Sequence, residues 1–291
     1  MLLVTYSINN SVSIGVLEQD GSTLIDLSDV DGIPNDMLTL IKSFQDPAAL
    51  VPLIKNKGKH IELSSVSLLA PIPEPLRNIF CIGKNYRDHI KEIQSAMSSD
   101  NQPAIEAPIF FTKATTSVIG PDAAIPASND LTQSTDYEGE LGVIIGTSGK
   151  QISRDDALRH VFGYTIINDV TSRRTQKLHQ QWFLGKSLDG FCPMGPAILT
   201  RDAVADPSQL QVQTRVNGEL RQNGKVSDMI FSIAEIIEVL SKHMTLLPGD
   251  IIATGTPAGV GMGFSPPKFL QPGDDVSITI EPIGCLQNLV N

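Results

Sequence analysis

The chain has 291 residues, 41% of them hydrophobic, with a formal net charge of −10. That length and apolar content suit one large or two modest domains and exclude a disordered chain, and the acidic balance argues against nucleic-acid or anionic-membrane partners. Three widely spaced cysteines (Cys81, Cys192, Cys285) form neither a disulfide framework nor a paired-cysteine metal motif; they read as small buried hydrophobes in a reducing compartment.

In chain order, residues 1–70 read as a small α+β module. Strand patterns cover residues 2–8, 12–17 and 22–27. Short helices are expected over 37–44 and 48–55, the second compromised by Pro52. The stiff run Pro71-Ile-Pro73-Glu-Pro75 places a boundary near residue 70. Beyond it, Ile79–Ile82 is a buried-type strand, Asn85 to about Gln94 a short helix, and Ser95–Pro108 a polar loop of the length often used for binding. Capping-box patterns predict helices starting at Ser153-Arg-Asp-Asp156 and Ser232-Ile-Ala-Glu235, the latter burying Ile233, Ile236, Ile237 and Leu240. Val276–Glu281 alternates as a strand. Many short strands, few helices and frequent Gly and Pro turns predict an α+β fold, with a β-rich main domain over 71–291. The amino terminus lacks a cationic start followed by an apolar core, and no apolar run approaches the roughly 20 residues that span a bilayer, so a cytoplasmic protein without a membrane partner is expected.

The strand pattern over Tyr137–Gly146 carries Glu138 and Glu140 two residues apart, hence on one face. Adjacent like charges are kept most readily around a cation, although a bare pair of this spacing more often lies on a solvated strand face. A second apolar run, Phe162–Asp169, ends in a third carboxylate. Three converging carboxylates would form an oxygen-rich site for a hard cation such as Mg²⁺.

His89 and Glu92 are three apart on the expected helix, the arrangement of an imidazole held by a carboxylate for general-base work, or of an ordinary helix-surface pair. If the chain after Asp169 turns helical, Asp169, Arg173 and Gln176 share a face, where Arg173 could hold a substrate carboxylate and Gln176 a second oxygen. Lys186 sits among glycines and apolar residues, where a buried ammonium requires an anionic partner. Thr256 lies in a Gly-rich loop following the apolar strand near residue 251, which permits close approach to a ligand but has the wrong spacing for phosphate. His60, His160, His179 and His243 read as structural or surface groups, and Trp182 and Phe183 as packing residues.

Taken together and in order, several segments resemble the fumarylacetoacetate hydrolase family over residues 71–291. They are Gly83-Lys-Asn85-Tyr86-Arg-Asp88-His89-Ile-Lys-Glu92, Asp136-Tyr-Glu138-Gly-Glu140-Leu, Asn168-Asp169-Val-Thr171-Ser-Arg173-Arg-Thr-Gln176, Lys186-Ser-Leu-Asp189, Val216-Asn217-Gly218-Glu219, and Thr254-Gly255-Thr256-Pro257-Ala-Gly259-Val-Gly261. The resemblance implies a mixed β-roll or β-sandwich catalytic domain, usually a homodimer, behind the small N-terminal domain of the longer bacterial and fungal members. It implies Mg²⁺ (or Mn²⁺) on Glu138, Glu140 and Asp169, a catalytic His89–Glu92 dyad with Lys186, and substrate contacts from Arg173, Gln176 and Thr256. Ile82 stands where the animal enzyme has a fourth carboxylate, and Arg174 where an acid is common.

The expected substrate is a small keto acid. The expected reaction is metal-dependent hydrolysis of the C3–C4 bond of a 2,4-dioxo acid, an acylpyruvate or a diketo-deoxy acid, to a carboxylic acid and a pyruvate-type product. His89 would activate the water, and Lys186 would stabilise oxyanion charge. Oxaloacetate decarboxylation and isomerisation of a 2-hydroxy-dienedioate use the same site chemistry and remain alternatives.

Overall fold

The computed structural model describes residues 1–18, 21–55, 57–97 and 105–291. Ten strands follow one another across a large mixed sheet: Lys59–Glu62, Thr23–Asp26, Ser11–Leu17, Leu2–Ile8, Cys192–Thr200, Val161–Asn168, Gly139–Ile145, Ile251–Ala253, Ile79–Gly83 and Ile109–Lys113. A four-stranded antiparallel sheet, ordered Glu219–Lys225, Gln211–Val216, Asp275–Ile280 and Gly284–Leu289, packs against it. One hydrophobic cluster spans both, joining Leu141 and Val143 of the large sheet to Val212, Ile278 and Ile280 of the small one. The fold is thus mixed, sheet-rich and poor in helix, as its turn-rich sequence predicts. Among the described residues no helix is long and apolar enough to cross a membrane.

The first seventy residues share this framework. Leu2 and Leu3 pair with Leu199 and Ile198, and a second core cluster mixes Leu3, Ile14 and Leu40 with Ile79, Ile144 and Phe162.

Two strands at the centre explain how distant carboxylates meet. Gly139–Ile145 and Val161–Asn168 are buried along their whole length. Strands covered on both faces read as continuous apolar runs, as these do. Their antiparallel register sets Gly139 opposite Asn168, which brings Glu138 and Glu140 beside Asp169. Asn168 Oδ1 accepts the Glu138 amide at 3.0 Å, and Glu138 O accepts the Asp169 amide at 2.9 Å, so the junction is tied from both sides.

The helix Ile233–His243 carries the capping box read from its sequence: Ser232 N donates to Glu235 Oε2 at 2.8 Å and Glu235 N to Ser232 Oγ at 3.3 Å. Such a cap contributes about 0.5–2 kcal/mol. Ile233, Ile236, Ile237 and Leu240 are buried, each contributing about 1.5–3 kcal/mol of transfer free energy. The helix expected from Ser153 is different. Ser153 and Asp156 do bond to one another, but they close a turn followed by a single 3₁₀ segment, Ala157–His160. The chain there must feed directly into the buried strand at Val161, which leaves no length for a helix.

Cys81 and Cys192 are buried, whereas Cys285 is exposed, contrary to the expectation for all three. In the strand Gly284–Leu289, burial alternates and Cys285 falls on the outward side. The helix carrying His89 runs Arg87–Met97, so it takes in the first part of the segment expected as a loop over 95–108; residues 98–104 of that segment lie outside the described residues.

Candidate active site

The ends of the two central strands open into a cavity of about 470 Å³ lined by His89, Glu138, Glu140, Arg173, Gln176, Lys186 and Thr256. Each residue singled out from the sequence therefore lines one pocket, except Asp169 and Glu92, which stand directly behind it. Glu138, Glu140 and Asp169 are all buried, and one carboxylate oxygen from each lies within 4.8 Å of the others.

Three cations are folded in with them. Lys186 Nζ donates to Glu138 Oε2 at 2.8 Å and to Asp169 Oδ2 at 2.6 Å. Arg173 Nη1 donates to Glu138 Oε1 at 2.5 Å, and Lys113 Nζ to Asp169 Oδ1 at 2.7 Å. Burial alone would lift the Glu138 carboxyl, but the Lys186 and Arg173 charges hold it well below the usual carboxylate range. Burial disfavours charge on Lys186 too, yet the Asp169 and Glu138 carboxylates raise it above the ordinary lysine value. Glu140 is the opposite case. It accepts the Gly255 amide at 2.8 Å but makes no ion pair among the described residues. Burial, then the neighbouring Asp169 and Glu138 charges, push its carboxyl well above the usual range.

This donor set fits a divalent cation. All three groups present hard oxygen donors, and each oxygen already bonded to a cationic side chain keeps a further lone pair. Glu140 is a buried carboxylate whose charge lacks a close cationic partner, the arrangement a bound cation would relieve.

On the helix Arg87–Met97, His89 Nδ1 lies 3.2 Å from Glu92 Oε2. His89 is 4% exposed and Glu92 half-buried, so the pair is not the solvated helix-surface pair that the spacing also allowed. Glu92 Oε1 accepts the Gly259 amide at 2.9 Å. With Nδ1 against Glu92, Nε2 is the ring nitrogen left for the pocket.

Arg173 and Gln176 lie on the helix Arg173–Leu178, but Asp169 does not share it: a two-residue strand, Thr171–Ser172, intervenes and pairs with Thr135–Asp136. Asp169 reaches the cluster through sheet register, not helical phase. Arg173 spends Nε on Asp136 and Nη1 on Glu138, while its buried Nη2 has no partner among the described residues. The Thr256 hydroxyl is already committed, donating to Gly139 O at 2.8 Å and accepting from Gln222 Nε2 at 2.7 Å. It can offer a ligand a lone pair but not its proton. Trp182 does more than pack: it forms a pocket wall, edge-on to Phe111 with ring centroids 5.3 Å apart. A Cβ at Gly83 would lie 2.3 Å from the Trp182 ring, so a larger residue there would displace that wall.

Sequence reasoning missed Lys113, Asp136 and Gln222. Lys113 closes the apolar strand Ile109–Lys113, and its lone charge there was the available signal. Asp136 was visible beside Glu138 but gave no hint of its partners. Gln222 looks like any polar strand residue until its amide is seen bridging Gly139 N and Thr256 Oγ1.

The family model described as fumarylacetoacetate (FAA) hydrolase C-terminal matches residues 78–291. Oxaloacetate tautomerase YisK of Bacillus subtilis (strain 168) is 57% identical over 228 residues, covering 78% of this chain and 74% of that protein. The structure of a fumarylacetoacetate hydrolase from psychrophilic Exiguobacterium antarcticum is 44% identical with a TM-score of 0.86, covering 100% of this chain and 99% of that one. A maleylpyruvate hydrolase from Sphingobium sp. SYK-6, solved with manganese(II) and pyruvate, is 31% identical with a TM-score of 0.80, covering 100% of this chain and 98% of its own. The chain belongs to the fumarylacetoacetate hydrolase family.

Proposed function

We propose that this member of the fumarylacetoacetate hydrolase family is a divalent-cation-dependent enzyme that moves protons on a short 2-keto dicarboxylic acid, interconverting the enol and keto forms of an oxaloacetate-type substrate. The observation that carries this reading is the pairing of buried His89 with the half-buried Glu92, set at one small cavity with a buried carboxylate triad. The 57% identity to an oxaloacetate tautomerase supports the choice of substrate class.

A divalent cation held by Glu138, Glu140 and Asp169, Mg²⁺ or Mn²⁺ by the hardness of the donors, would supply Lewis-acid polarisation of the 2-keto group and its carboxylate. The remaining work falls to side chains. His89, its Nδ1 fixed by Glu92, takes or returns the carbon-3 proton at Nε2. Lys186 has three donor hydrogens, two of them spent on Glu138 and Asp169, and the third can meet developing charge on the 2-oxygen. Arg173 lines the cavity, where its guanidinium charge suits a substrate carboxylate, and Gln176 lines it too. Arg174 and Lys177 also line the cavity and place positive charge where a second carboxylate would lie.

The same dyad supports a second reading, hydrolysis of a 2,4-dioxo acid. There His89 would deprotonate a water that adds to C4; the C3–C4 bond breaks with its electron pair on C3, which is then protonated. Incubation of the protein and Mn²⁺ with oxaloacetate, acetylpyruvate and a diketo-deoxy sugar acid, with products identified by proton NMR, separates the two. Faster enol–keto exchange of oxaloacetate with the dioxo acids intact supports tautomerisation. Acid plus pyruvate from a dioxo acid replaces it with the hydrolase reading, and carbon dioxide plus pyruvate from oxaloacetate overturns both.

A further inference from the structure

We propose that Asp136 and the glycine segment 259–263 are positioning residues that seat the helix bearing His89 and Glu92 against the cavity, and that they couple its seat to Arg173. Asp136 is fully buried and accepts four hydrogen bonds. Oδ1 takes the amides of Tyr137 at 2.9 Å and Gly261 at 2.7 Å; Oδ2 takes the Met262 amide at 3.0 Å and Arg173 Nε at 2.8 Å. A carboxylate offers about four lone-pair sites, so this one is saturated and has none left for a cation or a substrate. Its role is mechanical: one side chain pins a loop with one oxygen and shares the other between that loop and the pocket arginine.

The pinned loop grips the dyad. Gly259 N donates to Glu92 Oε1, and the Gly259 carbonyl accepts the Tyr137 hydroxyl at 2.7 Å, so residues 136 and 137 hold the segment at two points. At Gly263 a Cβ would lie 2.2 Å from Glu92 Oε1, so the carboxylate of the dyad rests against that glycine's backbone. At Gly261 a Cβ would lie 2.3 Å from Lys268 O and 2.6 Å from Asp136 Oδ1, so the clamp and the missing side chain are one feature. The path from Arg173 to His89 therefore runs Arg173, Asp136, Gly261, Gly259, Glu92, His89, with a hydrogen bond at each non-covalent step.

The kinetic part of this inference rests on the reading of His89 and Glu92 as the catalytic pair. The test includes a measurement that does not. Asp136→Asn keeps the shape but turns one oxygen into an amide NH₂, which must then face two N–H donors. Gly263→Ala leaves every Asp136 contact in place and displaces Glu92 directly. Hydrogen exchange is followed by mass spectrometry on the full chain without substrate. Amides over 86–94 should exchange about tenfold faster in both variants, the ratio expected when one buried hydrogen bond is lost. With substrate, Gly263→Ala should lower kcat about a hundredfold with KM unchanged, whereas Asp136→Asn should also raise KM because Arg173 loses its anchor. If Asp136→Asn does not fold, Gly263→Ala decides the seat, and exchange over 86–94 in Arg173→Lys, which removes the Nε bond to Asp136 Oδ2, decides the coupling: unchanged exchange there overturns it. Unchanged exchange over 86–94 overturns the proposal whatever reaction is catalysed; faster exchange without the kcat–KM split retains the seat and overturns the coupling to Arg173.

Discussion

Lys113 Nζ and Asp169 Oδ1 are 2.7 Å apart and fully shielded from solvent, in a pair that joins the edge strand of the large sheet to the floor of the cavity. Lys113 also donates to Val170 O at 3.0 Å, and among the described residues its ion-pair partner is Asp169. Removing one partner of a buried pair strands the other charge, at a cost of about 3–5 kcal/mol. Lys113→Met should therefore lose about 3 kcal/mol in urea denaturation of the metal-free protein, the low end of that range because Lys186 still reaches Asp169. Part of that loss should return on adding Mn²⁺. An unchanged denaturation midpoint would show that the pair contributes nothing.

Glu140 should respond in the opposite sense. It is the buried carboxylate of the triad without a cationic side chain beside it, so its charge is costly until a cation binds. Glu140→Gln retains an acceptor for the Gly255 amide and removes the charge. The metal-free variant is expected to melt at or above the wild-type temperature. It should also lose the stabilisation of about 2.7 kcal/mol that a cation at a hundred times its Kd gives the wild type. Thermal scans with and without Mn²⁺ read both effects, and an intact metal-induced shift would remove Glu140 from the ligand set.

His89→Ala should separate binding from chemistry. No carboxylate of the triad bonds to His89, which pairs with Glu92. Metal affinity, measured by calorimetric titration, is expected to stay within a factor of about two while kcat falls about 10²–10⁴-fold, the usual contribution of a positioned acid–base group. Loss of both together would remove the proton-transfer role.

The thiols give an inexpensive check of the fold. Cys81 and Cys192 are fully buried, and burial pushes both thiols up, that of Cys192 to about 12. Cys285 is exposed. A thiol-specific reagent should modify one cysteine per native chain and all three after denaturation. Rapid modification of two or more in the native protein would contradict the packing around the central strands.

What could be read in advance was what repeats locally. Strand alternation put Glu138 and Glu140 together, helical spacing paired His89 with Glu92, and Ser232 with Glu235 announced a helix. The same local logic failed at Ser153, where a similar cap pattern, with Asp156 in place of a glutamate, closes only a turn because a buried strand begins at Val161. It also failed for Asp169, set by sheet register and not by helical phase with Arg173. Lys113 lies 56 residues from Asp169, and Asp136 lies 125 from Gly261. No periodicity spans such separations, so those partners emerged only from the folded chain.

The central claim is that a divalent cation on the triad and the His89–Glu92 pair act together on an enolisable keto acid. The most direct measurement is the rate at which enolic oxaloacetate becomes ketone, followed by ultraviolet absorbance with Mn²⁺-loaded protein, chelated protein and the His89→Ala variant, each corrected for the metal-only rate. The account predicts acceleration by the loaded wild type alone. Acceleration that survives either chelation or the loss of His89 would contradict it.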